Sequence, residues 1–302
     1  MKSLLLKIWN FLYDARKSLA ERFWYVFDFF YRSFTTCPKV AGVEETVCAI
    51  RDHGYSFARF GDGEIKLVAG KDISFQVATP LAVRKLRETL HSDDDGLLIG
   101  VADIFGDRSR YTDSANRYWK KHLSRYRRVW YKYLRRDKRY YNASVTRQYI
   151  TLRDPSESEK IFSLFKQVWH DRDVVLIEGE KSRLGIGNDL LDGARSVRRI
   201  LGPAAQAFSE YDKLLETACT LEKDVLFLIA LGPCATALAR DLHLRGYQAV
   251  DVGHIDVEYE WMKMGAKSRT PLKNKLVYEA GGAVIGDVSD TRYTSQIIAR
   301  IV

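Results

Sequence analysis

The chain has 302 residues, of which 46% are hydrophobic and 29% charged, with only 6 prolines. This composition excludes a disordered, collagen-like or mucin-like chain and supplies ample material for a buried core. The net charge of +9 is local: residues 119–139 carry ten Lys/Arg and one acid, residues 1–36 carry six and three, and the rest sums to −3. A localised anionic partner follows, and a surface that coats nucleic acid does not.

Cys37, Cys48, Cys219 and Cys234 lie far apart and form no C-x-x-C pair. They predict reduced thiols of a cytoplasmic protein, with neither disulfides nor a zinc site. No run approaches the roughly 18 apolar residues of a membrane-spanning helix. No apolar stretch ends at a small-residue cleavage site, so no signal peptide is expected.

Residues 1–36 read as an amphipathic helical segment. Leu5, Ile8, Trp9, Leu12, Ala15 and Leu19 recur at helical spacing, aromatics continue to Phe34, and Lys2, Lys7, Arg16, Lys17, Arg22 and Arg32 add cations. Such a helix suits an anionic membrane surface, and equally a contact on the domain or in a homo-oligomer. Residues 37–302 are expected to form one catalytic domain. Val43–His53 predicts a helix and Tyr55–Phe60 a strand, which runs into a tight polar turn, Gly61-Asp62-Gly63-Glu64. Pro80–Leu90 predicts a helix and Leu97–Val101 a buried strand. Asp113–Arg136 is a long basic helix, Ala143–Ile150 is β-like, and Ser156 with Glu159 forms a capping-box start to a helix ending near Trp169. Strands follow at Asp173–Glu178, Ser196–Leu201, Asp224–Ala230 and Gln248–Val252, alternating with helices. This is the pattern of an α/β, Rossmann-like, mainly parallel sheet with helices on both faces.

Ligands of such sheets sit beyond the carboxyl ends of the strands, and four of these ends carry polar clusters. Arg59 to Glu64 puts Asp62 and Glu64 two residues apart between glycines, hard oxygen donors suited to Mg²⁺ or Mn²⁺ shared with phosphate. Glu178 to Asp189 is a glycine-containing loop with Lys181 and Arg183, read as a phosphate-binding loop before a helix. Gly232-Pro233 is a small-residue turn that lets a ligand approach the backbone. His254, Asp256, Glu258 and Glu260 crowd the fourth end, where a carboxylate could serve as base and His254 could bind phosphate or metal. Each cluster alone has a plainer reading as solvated loop or satisfied core.

Together the motifs 57–64, 178–190, 229–233 and 246–261 resemble the GT-D type of bacterial glycosyltransferase. The resemblance covers roughly residues 43–302 and leaves out 1–36 and the basic stretch 119–139. It implies transfer of a sugar from a nucleoside-diphosphate donor, with a UDP-sugar the leading candidate, to a glycan acceptor, in the setting of cell-surface glycan assembly. It also implies a divalent metal held by Asp62 and Glu64. By extension Arg59, Glu180, Lys181, Arg183, Asn188, Gly232 and His254 would bind the donor. If the reaction inverts configuration, Asp256 and Glu258 are the candidate bases. The two basic segments, 1–36 and 119–139, would bring the enzyme to the inner membrane face, near a lipid-linked acceptor. Two other classes compete: another nucleotide-dependent transferase, disfavoured by the absence of a P-loop and of G-x-G-x-x-G, and a basic nucleic-acid binder, disfavoured by the acidic strand ends.

Overall fold

Apolar runs without polar alternation build strands that are buried on both sides. The computed structural model describes residues 2–282 and 290–301; the side chains of 2–15 and 17, and with them the first half of the expected N-terminal stripe, lie outside the described residues. In chain order the elements are α1 (Lys2–Ser33), β1 (Lys39–Val40), α2 (Val43–His53), β2 (Ser56–Phe60), α3 (Asp62–Val68), α4 (Pro80–His91) and β3 (Leu97–Val101). They continue as α5 (Asp113–Tyr133), β4 (Arg139–Asn142), α6 (Ser158–Val168), β5 (Asp173–Gly179), β6 (Ser196–Gly202), α7 (Tyr211–Cys219) and β7 (Leu226–Ala230). The chain closes with α8 (Pro233–His243), β8 (Gln248–Asp251), α9 (Ile255–Lys263), α10 (Thr291–Gln296) and β9 (Ile297–Arg300).

The strands form one sheet in the order β1-β4-β3-β2-β8-β7-β5-β6-β9. Every pairing among the described strands is parallel. Successive β5 residues feed opposite faces: Val174 and Leu176 pack with α2, α6 and α9, while Val175 and Ile177 pack with α7 and α8. Both faces are dry, as a two-period apolar run requires. Helix starts are locally encoded. Thr79 accepts the Ala82 N–H ahead of Pro80, and Thr112 accepts the Ala115 N–H ahead of α5. Both are side-chain N-caps.

Several expectations are corrected. Gly61–Glu64 is not a free turn: Asp62 opens α3, so both acids lie in its first turn. The β-like run 143–150 is displaced to 139–142, because Asn142 accepts the Ser144 N–H and turns the chain into a 3₁₀ segment, Ala143–Thr146. Ser156 does not cap α6; its N–H goes to Asp154, and the helix begins at Ser158. No helix follows the 180–189 loop. Residues 180–195 are turns, with Arg183 at φ 52° and Gly185 and Gly187 at 75° and 85°, all left-handed. The edge strands β1, two residues long, and β9 are not among the expected strands.

Candidate active site

β2 and β8 are neighbours in the sheet, yet the chain leaves β2 toward β3 on one side and enters β8 from β7 on the other. Such a reversal opens a crevice at the carboxyl ends. The cleft there has a volume of about 1160 Å³. Its walls come from the ends of the seven strands β2 to β8, and Glu64 and Lys181 face the same hollow.

The acidic side is the first turn of α3. Asp62 is 2.6 Å from the Lys66 ammonium and accepts the Tyr118 hydroxyl at 2.5 Å. Those contacts, with Lys66 the strongest of them, outweigh desolvation and hold its carboxyl below the usual range. Glu64 folds back to accept the Gly61 N–H at 2.7 Å. Its surface reaches the cleft, but the carboxyl is desolvated and lies near Asp251, so its pKa is pushed up to about 7. Burial is the larger cause. Asp62 and Glu64 are the residues here that could hold a divalent cation, which would have to compete with Lys66, Tyr118 and the Gly61 N–H for their oxygens. Two hard oxygens are offered from one turn, and one belongs to a carboxyl that a nearby cation would ionise. Among the described residues no third His, Cys, Asp or Glu completes a cage. The other ligands would therefore be phosphate oxygens and water, the usual arrangement for Mg²⁺-type sites.

Arg59 crosses from β2 to β8. Its guanidinium donates to Asp251 at 3.2 Å, to the Ala143 carbonyl at 2.9 Å and to the Thr146 hydroxyl at 2.6 Å. Asp251 is buried and also accepts the Thr236 hydroxyl at 3.1 Å. Gly253 makes this crossing feasible: it has φ 47°, and a Cβ there would sit 1.8 Å from an Arg59 nitrogen. Gly232 serves the opposite wall, at φ 55° and with a Cβ position 3.0 Å from the Phe75 ring. Phe75 stacks on Tyr278 at the rim, with centroids 5.5 Å apart.

The basic side centres on a residue that the sequence reading missed. Arg147 follows the displaced β4. It donates two bonds to Glu279, at 3.0 and 2.5 Å, and one to His254 Nδ1 at 3.0 Å. Burial, reinforced by the Arg147 charge, pushes the His254 pKa down to about 4, so the ring is neutral at pH 7. Arg147 would have stood out had the strand been placed at 139–142, since the strand-end rule then points to it. Glu279 and Tyr278 lie in a connector without motif or period, and no sequence signal marks them.

The cleft gathers Arg59, Asp62, Glu64, Lys181, Gly232, His254 and Asp256, and it leaves out four expected residues. Arg183 turns away to the Asn274 carbonyl. Asn188 donates to Asp256 and Glu260, at 2.8 and 2.7 Å. Glu180 does not line the cleft. Glu258 is fully buried and accepts the Tyr149 and Ile150 N–H groups, both at 3.0 Å. It anchors a loop and is not placed to take a proton from an acceptor. Asp256 reaches the cleft wall, but its carboxylate already receives the Gly185 N–H, Asn188 and Lys275, the last at 2.6 Å. The long 178–189 motif is thus largely scaffold. Glu178 pairs with Arg199 at 2.5 Å in the core and accepts the Leu184 N–H at 2.7 Å, which pins the loop that presents Lys181.

The basic helix α5 is engaged by α1. Arg127 pairs with Asp28 at 2.6 Å, while Lys121 and Arg125 reach Glu21 at 2.6 and 3.2 Å. On the outward side of α1, Leu19, Phe23, Val26 and Phe30 are each more than half exposed. No described helix is long and apolar enough to cross a membrane.

A sheet whose described strands are all parallel, with a mixed-charge crevice at its switch point, is of the Rossmann-like α/β class, in which ligands bind at that crevice. The family model "Glycosyltransferase GT-D fold" matches residues 57–280. Glycosyltransferase GlyD of Streptococcus pneumoniae serotype 4 is 39% identical over 265 residues, 87% of this chain and 32% of that protein. A probable glycosyl transferase, Gly, of Streptococcus gordonii is 37% identical over 264 residues, 87% of this chain and 39% of the other. The chain therefore spans about a third of the length of the curated relatives it matches. A solved glycosyltransferase structure from Streptococcus sanguinis superposes with a TM-score of 0.84 at 36% identity, covering 88% of this chain and all of that one. A solved structure described as having a distinct glycosyltransferase fold gives 0.83 at 36% identity, covering 88% of this chain and 96% of that one. The chain belongs to the GT-D-fold glycosyltransferase family.

Proposed function

We propose that the chain transfers a sugar from a nucleoside-diphosphate donor, a UDP-sugar, to a glycan acceptor carried on a lipid, and that it does so with a divalent cation. The observation that carries this reading is the convergence of seven strand ends on one cleft, with the Asp62–Glu64 pair and the cations Arg59, Arg147 and Lys181 in its walls. A cleft of about 1160 Å³ has room for a nucleotide-sugar and part of an acceptor.

Breaking the anomeric C–O bond places negative charge on the departing diphosphate. Asp62 and Glu64 would hold the metal, which supplies charge neutralisation at that leaving group. Lys181 and Arg147 add fixed positive charge, and Arg59, locked by Asp251, keeps the β2 and β8 walls in register. His254 is neutral, with Nδ1 accepting from Arg147, so its proton resides on Nε2. It can donate to a ligand oxygen and is unsuited to act as a base at Nδ1. Asp256 is a positioning group for the Gly185 and Asn188 turn.

The test is a thermal-shift panel of UDP-, GDP-, dTDP- and CMP-sugars with and without Mn²⁺. UDP-sugars should shift the melt, and the metal-dependent part should vanish in Asp62→Ala and in Glu64→Ala. Its persistence in both variants would refute the metal site.

We further propose that the outward face of α1 lies on an anionic bilayer. Leu19, Phe23, Val26 and Phe30 form one apolar stripe flanked by the exposed Arg16, Arg22 and Arg32. Those like charges would oppose an identical helix and favour lipid phosphates, at about 1 kcal/mol per cation. Flotation with phosphatidylglycerol vesicles should fail after deletion of 1–36. Unchanged flotation, or a stable dimer lost on the same deletion, would overturn this.

A further inference from the structure

Arg147 holds Glu279 the way an arginine holds a phosphate. Both terminal nitrogens donate to the two carboxylate oxygens, at 3.0 and 2.5 Å. Arg269 approaches the same carboxylate at 3.5 Å. All three residues and His254 line the cleft, and the Arg147 side chain retains 27% exposure toward it. A planar guanidinium fork matches a carboxylate and a phosphate equally well. Arg147 keeps Glu279 ionised, holding its carboxyl far below the usual range against the cost of burial. The pair is also close to the acidic turn: Tyr118, whose hydroxyl donates to Asp62, lies within electrostatic range of both Arg147 and Glu279.

We propose that Arg147 and Arg269 form the subsite for the donor's diphosphate, and that Glu279 occupies this subsite as an internal stand-in until the donor displaces it. The inference rests on the reading of the cleft as a nucleotide-sugar site and adds a competitor to it. Three features favour exchange over a permanent ion pair. The pair borders open cleft, not core. Glu279 sits on a single 3₁₀ turn, Tyr278–Ala280, whose ends Val277 and Ala280 pack on a small core; within it the Glu279 side chain points to the cleft and is held there by the two arginines. Arg147 keeps a second partner, His254 Nδ1, which holds the guanidinium in place when Glu279 leaves.

A competitor lowers the fraction of protein ready to bind and weakens apparent affinity by that fraction. Calorimetric titration of the full chain with inorganic pyrophosphate, in EDTA, reads this without metal or nucleobase. Glu279→Gln should bind pyrophosphate about tenfold tighter than the parent. The gain should disappear in Arg147→Gln/Glu279→Gln and shrink strongly in Arg147→Lys/Glu279→Gln, since lysine keeps the charge but loses the fork. Equal or weaker binding by Glu279→Gln overturns the proposal. So does the same gain in the double variants, because the effect would then be removal of a negative charge anywhere near the ligand. Circular dichroism melts identify any variant that fails to fold, and the Lys-containing pair is the fallback for the Gln-containing one. The same titrations with UDP separate the two readings. If UDP gains nothing over pyrophosphate, the uridine assignment fails while the ranking of variants still decides the subsite.

Discussion

Replacing Glu64 by glutamine should make the metal-free protein more stable, and only above mildly acidic pH. The Glu64 carboxyl titrates near 7 in the folded chain against an ordinary value of 4.5. Between those values the folded state keeps a proton that the unfolded state has released. Stability therefore falls as pH rises through the window and levels off above 7. The gap corresponds to about 3 kcal/mol. Glutamine keeps an oxygen for the Gly61 N–H and carries no charge. Glu64→Gln should thus match the parent at pH 4 and exceed it by up to about 3 kcal/mol at pH 8. Urea denaturation in EDTA from pH 4 to 8 measures the difference, and comparison of the two proteins cancels every other titrating group. Saturating Mn²⁺ should restore the parent's stability at pH 8 and leave the variant unmoved. A pH-independent difference, or a parent more stable at pH 8 without metal, would refute the argument.

Gly253→Ala should cost about 2–4 kcal/mol and weaken donor binding, because the added methyl displaces Arg59 from Asp251; denaturation and titration read the two effects. Arg199→Ala strands the buried Glu178 and should destabilise by about 3–5 kcal/mol, with early proteolysis in the 180–195 loop. Asp28→Ala should loosen α1 from α5, seen as faster cleavage after Arg16 or Arg22. Glu21→Ala, whose partners Lys121 and Arg125 are largely exposed, should change stability by less than about 1 kcal/mol.

The fold was legible wherever burial on both faces left an unbroken apolar run, as in Val174–Ile177 and Leu226–Ile229. It was hidden where a side chain outside the periodic pattern decided the path. Asn142 turns the chain and moves a strand, and Asp154 accepts the N–H of Ser156, the residue that was expected to cap the helix. The cleft lining was legible at Asp62, Glu64 and Lys181, which sit two to four residues beyond a strand. Composition could not tell which polar groups in a motif face ligand and which face each other. Asn188, Arg183 and Glu258 satisfy neighbouring loops, and their chemistry is as polar as that of the true lining. Glu279 reaches the cleft from a connector, by tertiary placement alone.

The seam between β2 and β8 also orders events in time. Only one residue pair, Phe57 with Val250, registers these strands, and the second belongs to the last fifth of the sequence. During synthesis the early strands must wait, with an open edge, until the late ones emerge from the ribosome. No partial chain owns a finished crevice. Ligand added to a refolding mixture should therefore protect chains that include β8 and leave chains truncated before it exposed to proteases.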